Sequence, residues 1–79
     1  MNWRNIELYD LPPCSDVLMR IENVNGEVCF IVGDVDEDRV IHTHTDWCGE
    51  YEGWLCHISG IRERGIKSIH YIDPNEILM

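Results

Sequence analysis

Hydrophobic and polar positions alternate along most of this chain. In DVLMRIEN (16–23), Val17, Met19 and Ile21 alternate with Leu18, Arg20 and Glu22, a period of two that predicts a strand. Asn25-Gly26 follows, a strong hairpin signal because both turn positions tolerate positive φ. EVCFIVG is then the returning strand, with Val28, Phe30 and Val32 on one face and Cys29 and Ile31 on the other. Apolar on both faces, it predicts a central strand covered on each side.

DVDED (34–38) is a turn, and RVIHTHT is a third strand, rich in β-branched residues. A loop over 48–53 leads to WLCHIS, with Trp54, Cys56 and Ile58 on one face and Leu55 and His57 on the other. Residues 60–65 form a turn or one helical turn, IKSIHYI is a further strand, and Pro74 opens a short terminal turn. Leu11-Pro12-Pro13 ends whatever precedes it, since paired prolines force extended or turn geometry. No window carries a sustained helical apolar stripe. The expectation is a mainly β fold: a small antiparallel sheet or half-barrel of five or six short strands. Residues 1–79 form a single compact domain with no linker or repeat.

Composition narrows the class. The chain is 44% hydrophobic and holds three Trp, three Tyr and one Phe, too rich in core formers for a disordered tail. No apolar run is long enough for a membrane span, and no basic-then-apolar leader follows Met1, so a cytoplasmic protein is expected. Four cysteines (Cys14, Cys29, Cys48 and Cys56) are few for a secreted disulfide scaffold, so reduced, buried thiols are expected.

Charge changes the picture most. The net charge is −9, which argues against direct binding of nucleic acid. Residues 22–52 hold nine acids and the single base Arg39. Nearly all the net charge therefore belongs to the middle of the chain. The stretch 62–67 is locally basic through Arg62, Arg64 and Lys67.

Candidate chemistry is thin. His42 and His44 share a strand face, and Cys48 and Cys56 complete a two-His, two-Cys set of the kind that holds zinc. The spacing matches no common finger, however, and neighbouring Cys56 and His57 point to opposite faces. The expectation is no metal and no cofactor, with a zinc-stabilised adaptor as the alternative. Asp34, Asp36 and Asp38 open like a calcium loop, but Arg39 and Thr45 stand where Gly and Glu are required. A solvated acidic turn is the better reading. Cys48 or Cys56 beside His44 lacks any activating signature, and a chain this short leaves little room for a cavity of about 300 Å3. No catalytic residue is assigned. Trp3 and Trp54 read as core, and Trp47 at a strand end as an exposed anchor.

NWRNIELYDLPP, SDVLMRI, EGWL and SIHYIDP together resemble a family of small uncharacterised proteins of phages and prophages. Tyr71 replaces that family's usual Trp, and its closing Pro is displaced to Pro74. The resemblance implies a bacterial cytoplasm and a phage accessory role, and no residue role.

Together these readings lead to an expectation of a non-enzymatic acidic protein. It binds and blocks a basic nucleic-acid-binding protein of the bacterial host, such as a defence protein of the CRISPR-effector kind, through carboxylates that occupy a phosphate-binding groove. The expected contacts are Asp34, Asp36, Glu37 and Asp38 on the turn and Asp46, Glu50 and Glu52 on the next loop. Trp47 and Tyr51 are expected as apolar anchors between them.

Overall fold

The computed structural model describes residues 2–8 and 11–72; the terminal turn expected at Pro74 lies outside them. Six strands run β1 (Trp3–Asn5), β2 (Cys14–Asn23), β3 (Val28–Val35), β4 (Val40–Asp46), β5 (Leu55–His57) and β6 (Ile66–Ile72). They form one antiparallel sheet in the order β1-β6-β2-β3-β4-β5, curled into a half-barrel. The expected mainly β architecture is therefore the observed one. The stretch after β5 forms two single-turn 3-10 helices, Ile58–Gly60 and Arg62–Arg64, and Gly65 at φ 77° ends the second.

The β2–β3 hairpin turns where Asn25-Gly26 predicts. Only Gly26 takes positive φ, at 84°. The Gly26 amide donates to the Asn23 carbonyl at 3.0 Å. The Asn23 side-chain oxygen accepts from the amides of Asn25 (2.9 Å) and Glu27 (3.0 Å). Asn23 thus stitches a longer turn than the two-residue one expected, and the glycine supplies its left-handed position.

One face of the sheet is covered. Val17, Met19, Ile21, Ile31, Val35, Ile41, Ile69 and Tyr71 line it, and Ile6, Leu11, Tyr51, Ile58 and Ile61 pack over it. The other face is open, which corrects the expectation that β3 is covered on both sides. Val28 and Phe30 are 40% and 42% exposed on it. Trp3, expected in the core, is 38% exposed and packs its ring 6.0 Å from Phe30. Trp54 does pack against the core, edge-on to Tyr51 at 5.4 Å. Among the described residues, the buried ones outside the sheet pack over the first face only.

The register carries three irregularities, one between β2 and β6 at Glu22 and Asn23 and two that border the end of β3. Between β2 and β3 the pairing passes from Cys14↔Val35 to Val17↔Gly33, and between β3 and β4 from Gly33↔Thr43 to Val32↔Thr45. Each of these last two gives the outer strand one extra residue, a β-bulge. At Gly33 a Cβ would stand 2.8 Å from the His42 carbonyl oxygen. Backbone cannot yield as a flexible side chain would, so only glycine fits. Gly33→Ala is expected to lower stability by about 1–3 kcal/mol, read as a lower urea midpoint; an unchanged midpoint would mean that β4 moves aside freely.

Candidate functional site

The bulge in β4 decides where its last residues point. Up to Thr43 the odd-numbered residues face the core; His44 is the extra residue, and beyond it Thr45 lies opposite outward Val32 and Asp46 opposite buried Ile31. Asp46 is thereby turned inward. Its carboxylate accepts from the Cys48 amide at 2.7 Å and from the Tyr51 amide. It organises the loop after β4 and is not offered to a partner. Trp47, next along, is turned to the open side and is 64% exposed, with its amide 3.4 Å from the Phe30 carbonyl.

Tyr51 is 9% exposed, which corrects its expected role as an anchor. Burial pushes its phenol above the ordinary tyrosine value, and the charges of Glu50, Asp46 and Glu27 add to the shift. Glu50 and Glu52 are exposed on the same loop, and Glu37 and Asp38 on the β3–β4 turn. These two acidic groups stand at opposite ends of β4, about 20 Å apart for a strand of its length, rather than forming one patch.

Asp36 is a structural residue of the β3–β4 turn. Its Oδ1 accepts from the amides of Asp38 (2.9 Å) and Val40 (3.0 Å), and its Oδ2 lies 2.7 Å from His42 Nε2. Asp34 Oδ1 accepts from the Asp16 amide at 2.9 Å and lies 3.1 Å from His44 Nε2. The same imidazole nitrogen is 3.2 Å from Asp16 Oδ1. Sequence reasoning missed Asp16, because nothing in its local pattern shows that a bulge swings it beside Asp34. Beside this group lies an open cleft of about 480 Å3 lined by Cys14, Asp34, Asp36 and His42 among others, larger than chain length suggested.

The four residues of the sequence-based zinc set are not brought together. His42 and His44 lie on the open face, whereas Cys56 is buried in the core and Cys48 is cross-linked to Cys29. That disulfide corrects the expectation of four reduced thiols. The pair are 19 residues apart in sequence, but the turn after β4 brings their Cα atoms to 6.0 Å. Cys56 has its thiol pushed up by burial, which disfavours the thiolate a nucleophile needs.

Compared with family models, with curated proteins and with solved structures, the chain matches none. The likeness to phage proteins therefore stands on its short motifs alone.

Two outcomes follow. The disulfide closes a loop of about 20 residues, so removing it as Cys29→Ser/Cys48→Ser is expected to cost about 3 kcal/mol; equal denaturation midpoints for the oxidised and serine forms would refute that. The second concerns acid. The Asp16 amide holds the Asp34 carboxyl below its ordinary value, with further lowering from His44. The Val40 amide and then His42 do the same for Asp36. A carboxyl with a depressed folded pKa contributes stability that is complete above its unfolded value, near pH 4, and lost as pH falls through the folded one. Melting temperature should therefore drop below about pH 4, and Asp36→Asn should show a shallower drop.

Proposed function

We propose that this chain is a non-enzymatic binding module that occupies a basic, nucleic-acid-binding surface of a bacterial host protein and so blocks it. The observation that carries this reading is the open sheet face. Trp3 and Phe30 pack ring to ring on it and Trp47 follows beside Phe30, all three exposed, with Glu50 and Glu52 on the loop at that end of β4 and Glu37 and Asp38 beyond its other end. Apolar centres flanked by charge are the usual anatomy of a protein interface, with aromatic residues as its strongest contributors. The net charge of −9 matches a partner whose groove is lined by Arg and Lys, and speeds encounter with it. The two thiols considered for catalysis, Cys48 and Cys56, are bridged and buried respectively, which favours binding over nucleophilic chemistry.

The bacterial cytoplasm and the phage setting enter through the sequence resemblance. The alternative of a zinc-stabilised adaptor built on His42, His44, Cys48 and Cys56 is the weaker reading, because those four residues do not converge.

The test begins by capturing a partner from a nuclease-treated bacterial lysate on the immobilised chain, then titrating it at low and high salt. Asp36 and Asp46 serve the fold, so the informative variant is Glu37→Gln/Asp38→Asn/Glu50→Gln/Glu52→Gln. It is expected to associate more slowly and to lose most of the salt dependence. Trp47→Ala should speed dissociation and cost about 2 kcal/mol of binding. DNA or RNA should compete with the chain for the partner. Wild-type salt slope in the quadruple variant, or no competition by nucleic acid, would sink the proposal.

A further inference from the structure

We propose that Asp16, Asp34 and His44 form a binding site for a borderline divalent transition metal such as Zn2+. Their donor atoms come from three consecutive strands of the sheet and converge on one point. His44 Nε2 lies 3.1 Å from Asp34 Oδ1 and 3.2 Å from Asp16 Oδ1, and all three donors are within 4.8 Å of one another. Ligands about 2.0–2.1 Å from a tetrahedral zinc stand about 3.3–3.4 Å apart. The imidazole already makes two edges of nearly that length, so a metal needs only small side-chain rotations.

The backbone is shaped to produce this convergence. Asp34 belongs to the straight strand β3. On each side of it the neighbouring strand carries an extra residue, and the extra residues deliver Asp16 and His44.

The donor chemistry selects the ion. Calcium and magnesium take six or more oxygen ligands or retain most of their water. A site of one imidazole nitrogen and two carboxylate oxygens suits Zn2+, Co2+ or Ni2+ instead. His42, held at 2.7 Å by Asp36, stands next to the site on the same strand face. Asp34 also lines the 480 Å3 cleft, so the fourth coordination position opens towards solvent and can take water or a partner's side chain. The site differs from the zinc set read in the sequence in two respects: it contains no cysteine, and it uses Asp16. It stands independently of the binding function proposed above.

The test is calorimetric titration of the disulfide-bonded protein with Zn2+, repeated with Co2+ and followed by its visible absorption. One ion per chain is expected. His44→Ala and Asp16→Asn should each weaken binding by at least about tenfold. Asp16 is 80% exposed, so Asp16→Asn tests ligation in a chain that still folds, as circular dichroism will verify. His57→Gln and Cys14→Ser should bind as the parent does, and excess Ca2+ or Mg2+ should not displace the ion. No Zn2+ binding overturns the proposal. So does binding that survives His44→Ala and Asp16→Asn together, or binding that is lost with Cys14→Ser.

Discussion

One extra residue in β4 governs much of what this fold presents. Opposite Gly33 the strand accommodates both Thr43 and His44 before pairing resumes, and every residue beyond changes face. Asp46 turns in to hold the following loop, and Trp47 turns out. His44 is pushed towards Asp34. A regular ladder would reverse the orientation of Asp46 and Trp47, since a one-residue slip exchanges the faces of a strand. The bulge in turn depends on Gly33, whose missing Cβ lets the His42 carbonyl approach.

The size of the chain accounts for the asymmetry of its two faces. The six strands take just over half of the described residues, and the loop after β4, two 3-10 turns and the N-terminal segment cover one side. That side is filled mainly by isoleucines. Small domains bury a modest fraction of their surface and often need a cross-link. The Cys29–Cys48 bridge provides one where the loop bearing Trp47 and Tyr51 meets β3.

Alternation made the strands legible, and the Asn25-Gly26 pair located the hairpin, because both depend on neighbouring residues only. Face assignment was harder. Phe30 and Val28 look as buried in sequence as Cys29 and Ile31, and only the amount of remaining chain decides which side is covered. Tyr51 and Trp47 look alike as anchors in a loop rich in acids, yet Tyr51 is buried and Trp47 stands in solvent. The Asp16–Asp34–His44 group and the disulfide were invisible for one reason. Each joins residues separated in sequence by 10 to 28 positions, across strands whose bulges no local pattern announces.

The separation of charge along β4 restricts what can recognise this surface. Because the two acidic groups lie about 20 Å apart, a small ligand can engage one group but not both. Engaging both requires a partner that presents positive charge at two places about 20 Å apart and apolar surface at the Glu50 and Glu52 end, where Phe30 and Trp47 lie. A standard interface covers about 800 Å2 on each partner, about a sixth of the 4896 Å2 that this chain exposes. The carboxylates that hold the fold, Asp36 and Asp46, are committed to backbone amides, so Glu37, Asp38, Glu50 and Glu52 can meet a partner while the turns keep their shape.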